Sequence, residues 1–414
     1  MKRDQIRTGI VTGRKSRCIL IITGLVLFVF SCISPFKTDY KGQGDLLVVD
    51  GSLIKGYDTQ EIRISRTADI SESRFYPVEG CNVRIEDDSG NGIVFTEDSP
   101  GKYVAKTDDA FLNYDSQYKL IFSTPSGENY ESGYQKLLST APVDSVYSVK
   151  ETHYIPESES YIFGLQFYID LDAPDDASRY YRWEVKETWE VHASHKINGY
   201  YDGTTIYFNE YVSSDSLYYC WNTQVATGIY TYSTTNLSHN VLKQVPLHFK
   251  ADNSLDLTIK YCATVRQFAL NEDAYNYWHQ KEAELNESGQ IYTTQPSQVK
   301  SNIYNINNPE ETVLGFFWVS SVTEKHHFEK NPFWSSIIIG PEKCTGYGTC
   351  GDSFNEKLLA SLYSIANNTR NFPEPPVYMY YVQVLEFICI YFSKDECIDC
   401  RKMGGTIRRP DFWQ

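Results

Sequence analysis

The 414-residue sequence is short of positive charge: Lys and Arg total 38 against 53 Asp and Glu, which gives a formal net charge of −15 at pH 7. An acidic surface repels the phosphate groups of nucleic acids, whose binding depends on pairing phosphates with Lys and Arg. The shortage of basic residues therefore argues against a nucleic-acid partner.

The sequence also lacks an apolar run long enough to cross a membrane as a helix. Its one long apolar stretch covers residues 18–30, whereas a spanning helix needs ~20 apolar residues. The stretch follows residues 1–17, which carry six positive charges and one negative charge. A basic start followed by a short apolar segment is typical of an export signal.

The signal ends at Ser31-Cys32, which resembles the bacterial lipobox, a small residue before a cysteine whose thiol takes a diacylglycerol before cleavage. We predict a lipoprotein signal peptide at residues 1–31, an acylated, palmitate-bearing Cys32, and a tether at residues 32–44. Two or three acyl chains anchor a protein durably. Removing residues 1–31 would take the net charge from −15 to −20. The alternative is an uncleaved amino-terminal anchor beside an ordinary cysteine.

Familiar catalytic motifs are missing as well. The sequence contains no Gly-x-Ser-x-Gly elbow, Walker loop or dinucleotide fingerprint. Its two histidine pairs, at residues 192/195 and 326/327, lack the His-Glu-x-x-His arrangement by which zinc hydrolases hold metal and base on one helix face. We therefore predict a protein that is not an enzyme and has neither a cofactor nor a metal site.

Eight cysteines remain besides Cys18 and Cys32. An even number in an exported protein favours disulfides, although the sequence cannot choose among the connectivities. The spacing of Cys397 and Cys400 also suits metal or redox chemistry, and a zinc site completed by Cys344 and Cys350 is the alternative. The disulfide candidates are Cys220, Cys262, Cys344, Cys350, Cys397 and Cys400.

The abundance of Tyr and Phe, 33 and 21 residues, points to strands. Short alternating or apolar segments, separated by turn signals at residues 88–92 and 124–127, predict an N-terminal Ig-like/transthyretin-like β-sandwich at residues 45–140. Pro142 interrupts the strand pattern, so we place the second domain at residues 141–414.

The second domain is again predicted to be mainly β. Its strands are longer, and the last is expected at residues 377–392. Apolar residues recur near a helical period at residues 271–286 and 353–365. The predicted fold class is therefore mainly β, with the N-terminal sandwich followed by a larger β-sandwich domain that contains two short helical insertions.

Aromatic side chains can stack on a ligand, although core and cross-strand packing is their commoner use. The candidate ligand contacts are Trp183, Trp221, Trp278, Tyr200 and Tyr201.

The closing segment contains Cys397, then Gly404-Gly405-Thr406, then Pro410-Asp-Phe-Trp413. Together with earlier pieces, it resembles a lipoprotein family of Bacteroidota known as domain of unknown function 4249 (DUF4249). The earlier pieces are Leu47–Gly51, Tyr180–Trp183, Cys220–Trp221, Gln295–Tyr304 and Val313–Phe317. The resemblance implies an outer-membrane lipoprotein with two β domains, often encoded near TonB-dependent transporters and without an assigned activity.

The leading functional hypothesis is an outer-membrane, lipid-anchored protein without catalytic activity, which captures a ligand as the accessory partner of a TonB-dependent β-barrel transporter. An envelope structural or adhesion protein is the alternative, and an uncharacterised envelope enzyme is the third. The segment after Cys32 carries one acid and one lysine in residues 33–39, so the sequence leaves open whether the protein faces the periplasm or the cell surface.

Overall fold

The computed structural model describes residues 45–68, 76–108, 110–114, 116–197, 199–201, 206–208, 217–287, 301–333, 344, 347–351, 377–384, 387–392 and 395–414. The predicted signal peptide, Cys32, the tether and the second predicted helix, residues 353–365, lie outside this part of the chain.

Alternating burial explains the strands of the first part of the chain. Along residues 117–123, Tyr118, Leu120 and Phe122 are buried and their neighbours are not, which is the period of a strand with one face on a core. The strands are β1 Leu47–Lys55, β2 Thr59–Arg66, β3 Tyr76–Pro77, β4 Asn82–Asp87, β5 Gly92–Ser99, β6 Lys102–Lys106, β7 Gln117–Ser123, β8 Asn129–Ser132 and β9 Gln135–Lys136.

The predicted turn at residues 88–92 connects β4 to β5, and Asp87 holds it. The Asp87 carboxylate accepts hydrogen bonds from the backbone N–H groups of Ser89 (2.9 Å) and Asn91 (2.8 Å). Burial alone would raise the pKa of Asp87, but the hydrogen bonds from Asn91 and Ser89 outweigh it and hold the pKa below its ordinary value.

We expect Asp87→Ala to lower the free energy of unfolding by about 2 kcal/mol, because two backbone donors lose a charged acceptor. Urea denaturation measures this difference. Asp88→Ala, at the exposed neighbouring position, serves as the control and should change stability by less than about 0.5 kcal/mol. Equal losses in the two variants would contradict the assigned role of Asp87.

Longer strands follow, with one long helix among the described elements. They are β10 Ser145–Ile155, β11 Ser160–Asp172, β12 Tyr180–His192, β13 Gly199–Tyr201, β14 Ile206–Phe208, β15 Tyr219–Val225, β16 Tyr230–Ser233, β17 Val241–Ala251, β18 Lys260–Leu270, α1 Glu272–Glu287, β19 Ile303–Asn305, β20 Val313–Lys330, β21 Tyr347–Gly351, β22 Val377–Val384, β23 Phe387–Phe392 and α2 Asp395–Ile398.

Helix α1 confirms the predicted helix at residues 271–286. The single strand predicted at 377–392 is wrong, because β22 and β23 pair with each other as an antiparallel hairpin.

The large sheet has the strand order β15-β12-β18-β20-β1-β2-β6-β5-β4-β7-β8-β19. Strand β20 occupies its middle: residues 313–321 pair in parallel with β1, and residues 322–330 pair antiparallel with β18. Gly315 permits the first pairing, since it has a φ of +92° and a Cβ there would meet the Val49 carbonyl oxygen at 1.9 Å.

Two further sheets have the orders β10-β11-β17 and β14-β13-β22-β23-β21. One apolar core lies among β1–β8 and β20, and a second joins β11 and β17 to β12 and β18 through residues such as Phe167, Trp183, Val185 and Tyr261. The mainly β fold class is therefore confirmed, and the arrangement is consistent with β-sandwiches. In the part of the chain that the structure covers, no helix has the length and apolar character needed to cross a membrane.

Candidate ligand-binding site

A cavity of about 600 Å³ opens at the carboxyl end of β12. Four parts of the chain form it: the end of β12 with the residues after it, the start of β15, the 3₁₀ turn Leu255–Leu257 with the residues after it, and Met403 near the carboxyl terminus. Its size falls within the range of small-molecule sites, ~300–1,000 Å³. The cavity is therefore large enough to hold a small ligand.

Strand geometry places the aromatic wall of the cavity. Trp183, Val185, Glu187 and Trp189 alternate along β12, so they share the face that lies against the second core. Trp189 comes last of the four, where it lines the cavity and pairs with Asn222 of β15 in the strand register. The Trp189 side chain thus lies between the second core and the opening of the cavity.

Polar side chains also line the cavity. Asn222, Asp256, His192 and Ser194 line the same cavity, as does the aromatic ring of Tyr218. The Ser194 hydroxyl is buried and has no hydrogen-bond partner within the protein. A buried hydroxyl without a partner is uncommon, and a rotation of the Ser194 side chain would be needed to turn it towards a ligand in the cavity.

Both carboxylates that line the cavity are already engaged. Glu190 lies 2.6 Å from the Nε2 atom of His192 and accepts a 3.3 Å hydrogen bond from the indole N–H of Trp413. The hydrogen bond from His192 is the main cause that holds the pKa of Glu190 below its ordinary value. Asp256 forms an ion pair with Lys250.

Behind the cavity, Glu187 is the centre of a buried network. Only 2% of Glu187 is exposed, and its carboxylate receives the Lys250 ammonium at 2.8 Å, the Tyr261 hydroxyl at 2.8 Å and the Gln224 amide at 2.9 Å. The His248 Nε2 atom lies 3.2 Å away. Burial alone would raise the pKa of Glu187, but the hydrogen bonds from His248 and Lys250 lower it far below its ordinary value. The carboxylate therefore stays ionised and fixes the back of the cavity.

A disulfide-bonded segment at residues 395–414 closes one side. Cys400 is bonded to Cys220 at the start of β15, and Cys397 to Cys344. The segment also places Met403 in the cavity wall, and the Trp221 backbone pairs with Thr406 through two hydrogen bonds of 2.9 and 3.0 Å. The disulfides and the backbone hydrogen bonds hold this side of the cavity in place, although the segment contains no helix or strand of appreciable length.

The cysteine predictions have three outcomes. Cys220, Cys344, Cys397 and Cys400 lie in disulfides, so the zinc alternative for Cys344, Cys397 and Cys400 is wrong. Cys262 is a correction: it is a free thiol, completely buried in β18, and burial raises its pKa to about 11. The side chain of Cys350 lies outside the described residues, although its backbone faces that of Cys389, which is disulfide-bonded.

The three predicted ligand contacts whose side chains are described do not line the cavity. Trp183 is fully buried and donates to the Gln267 side chain at 2.9 Å, so it is a core residue and its prediction as a contact is wrong. Trp278, on α1, stacks on Arg182, whose Cζ atom lies 4.0 Å from the ring centre. Trp221 binds the closing segment through its backbone. The side chains of Tyr200 and Tyr201 lie outside the described residues.

The sequence reasoning missed Trp189, Ser194, Tyr218 and Asp256. One signal was present, since Trp189 lies six residues after Trp183 and so on the same strand face. Within the described ranges, no three His, Cys, Asp or Glu side chains are placed to hold a metal ion together.

The family model for a domain of unknown function, DUF4249, matches residues 33–326. The chain belongs to this family. The match begins directly after Cys32 and includes β12, β15 and the 3₁₀ turn of the cavity, while the closing segment lies beyond it.

Among solved structures, the chain is similar to the crystal structure of a DUF4785 family protein from Legionella pneumophila subsp. pneumophila str. Philadelphia 1. The sequence identity is 14% and the TM-score is 0.16, and the match covers 53% of this chain and 51% of the other. The chain thus spans about half the length of that protein. No curated protein matches the DUF4249 chain.

Proposed function

We propose that this DUF4249 protein is a lipid-anchored accessory protein of the bacterial outer membrane, which captures a small ligand for a TonB-dependent β-barrel transporter. The lipobox-like Ser31-Cys32 supports the anchor. The resemblance described above supports the membrane and the transporter, and the cavity supports ligand capture. The structural or adhesion role and the enzymatic role stay alternatives.

The cavity beside Trp189 is the observation that carries the proposal. It combines an aromatic wall, several polar groups and an unsatisfied buried hydroxyl, which is the usual composition of a small-molecule site. Strand pairing and two disulfides hold its walls. Such a frame binds a ligand at low entropic cost because little needs to be ordered on binding.

The anchor gives a direct prediction. We expect Cys32→Ala to move the protein from the membrane fraction to the soluble fraction of the envelope, or to leave it uncleaved, because no thiol remains for acylation. Metabolic labelling with a palmitate analogue, followed by fractionation and mass spectrometry of the amino terminus, measures both effects. Cys18→Ala is the matched control and should remain labelled. Labelling of the Cys32→Ala protein would contradict the proposed anchor.

The partner is tested by affinity purification from native membranes after mild cross-linking. We expect the wild-type protein to recover a β-barrel transporter and the Cys32→Ala protein to recover much less of it. Normal recovery of the lipoprotein with no β-barrel protein would overturn the transporter role. In that case, altered envelope integrity with unchanged nutrient uptake in a deletion strain would favour the structural alternative.

A further inference from the structure

We infer that the cavity beside Trp189 binds a neutral carbohydrate, through one pyranose ring stacked on the indole and hydroxyl groups bonded to the surrounding polar side chains. The inference rests on the proposed ligand-capture function and names its ligand class. Four observations carry it: the charge balance of the cavity, the indole, the unpartnered hydroxyl and the available volume.

The charge balance disfavours ionic ligands. Among the described residues that line the cavity, none is Lys or Arg, so an anionic ligand would find no strong cation in the wall and would also face an acidic protein. A cationic ligand would need a carboxylate, but Asp256 is paired with Lys250 and Glu190 with His192 and Trp413. A polar ligand without charge fits this environment best, since charges without partners are costly to desolvate.

Trp189 is a half-buried indole in the cavity wall, and its exposed part is the surface assigned to the sugar ring. The face of an indole carries the negative part of its quadrupole, so it attracts the polarised C–H groups on the flat side of a pyranose. Lys250 lies near the same ring, with its Nζ atom 5.6 Å from the ring centre. Because Lys250 is held by Glu187 and Asp256, it orients the indole and is not free to pair with a ligand anion.

The polar groups that line the cavity match alternating sugar hydroxyls. Asn222 offers both a donor and acceptors, and Asp256 offers carboxylate oxygens. The Ser194 hydroxyl is the most informative of these groups, because it is buried without a partner within the protein and a rotation of its side chain would bring it to a sugar hydroxyl. A sugar hydroxyl can both donate to it and accept from it.

The volume is also suitable. A cavity of about 600 Å³ has room for one or two hexose rings, within the range of known small-molecule sites. The mouth includes Leu255, which is 54% exposed, so a longer chain could extend outwards.

The test is calorimetric titration of the full mature lipoprotein, purified in a polyoxyethylene detergent, because glucoside and maltoside detergents carry competing headgroups. The neutral probes are glucose, galactose, mannose, N-acetylglucosamine and their common disaccharides. Glucosamine and glucuronate present a similar ring with a positive and a negative charge. We expect at least one neutral probe to bind about tenfold more tightly than either charged sugar.

Variants then assign the binding to this cavity. Ser194→Ala should weaken the binding of that neutral probe about fivefold, the effect of one net hydrogen bond, and it should leave stability unchanged because the hydroxyl makes no hydrogen bond in the free protein. Trp189→Ala should weaken binding about tenfold or more, and Trp189→Phe should retain part of the affinity. Tyr134→Ala is the control, since Tyr134 is an exposed aromatic between β8 and β9, and it should bind as the wild type does.

Several outcomes would overturn the inference. Absence of binding by every neutral probe would do so, as would tighter binding of glucosamine or glucuronate, or unchanged affinity in both Ser194→Ala and Trp189→Ala. The proposed function is judged separately, by the recovery of a β-barrel transporter. Recovery of the transporter without sugar binding would therefore overturn the ligand class alone.

Discussion

Replacing both cysteines of the Cys220–Cys400 disulfide by alanine is expected to lower the free energy of unfolding by about 4 kcal/mol. The two cysteines are 180 residues apart in the sequence, so the bond removes a large loop-closure entropy from the unfolded chain. Alanine is preferred to serine, because both sites are completely buried and a hydroxyl there would lack a partner.

The same double variant should also open the cavity. Residues 395–414 contain little regular structure, and Met403 enters the cavity wall only three residues after Cys400. The Cys344–Cys397 bond would remain in the variant, but it does not connect the segment to β15. Urea denaturation under non-reducing conditions measures the stability, and protection of Met403 from mild oxidation reports on the wall.

Cys262→Ala is the matched control for the disulfide. Cys262 is equally buried but is a free thiol, so its replacement removes packing and no covalent bond, at a cost of about 1 kcal/mol. If Cys262→Ala and the double variant lost equal stability, the disulfide would add nothing beyond side-chain packing. The result would then contradict the role given to the closing segment.

Local patterns predicted the elements well, because each depends on neighbouring residues. The alternation of Tyr118, Leu120 and Phe122 identifies β7, and the helical spacing of Ala274, Tyr277 and Trp278 identifies α1. The pairing of strands could not be predicted from the sequence. Nothing in residues 313–330 shows that the first half of β20 pairs with β1 and the second half with β18. The pairing with β1 links residues 266 positions apart and the pairing with β18 links residues 54–70 positions apart, and local propensity carries no information about either.

The cavity could be predicted less well than the fold. Trp183 and Trp189 occupy the same face of the same strand, and only the three-dimensional structure shows that Trp183 lies over the core while Trp189 lies at its open end. The disulfide pairing could not be predicted from the sequence either, because eight cysteines allow on the order of 100 connectivities. The predicted export signal indicated the right class of bond without the partners.

Replacing Glu187 by alanine is expected to cost about 3–5 kcal/mol, the range measured when one partner of a buried ion pair is removed. The loss arises mainly because the groups that Glu187 satisfies stay shielded from water: the Tyr261 hydroxyl is fully buried, and the Lys250 and His248 side chains are only 12% and 20% exposed. Lys250 keeps Asp256 as a partner, so we expect a folded but weakened protein. Its cavity should bind less tightly as well, because Lys250 no longer holds the Trp189 ring in place.

Glu324→Ala, on β20, is the control. Glu324 has 47% of its side chain exposed and pairs with Arg266 at 3.4 Å. A partly exposed ion pair contributes up to about 1 kcal/mol, so this variant should be several times less destabilised in urea. Similar losses for the two glutamates would contradict the central role of Glu187.

The pH dependence of this difference follows from the direction of the pKa shift. The pKa of Glu187 lies far below its ordinary value of 4.5 in the folded protein, while in the unfolded chain it returns to that value. The unfolded state therefore takes up protons first as the pH falls, so the stabilisation by Glu187 is complete above the unfolded pKa and declines below it. We expect wild type and Glu187→Ala to differ by a constant amount near neutral pH, and by progressively less below pH 4.5. A difference that grows on acidification would show that the Glu187 carboxylate is not the ionised centre of the network.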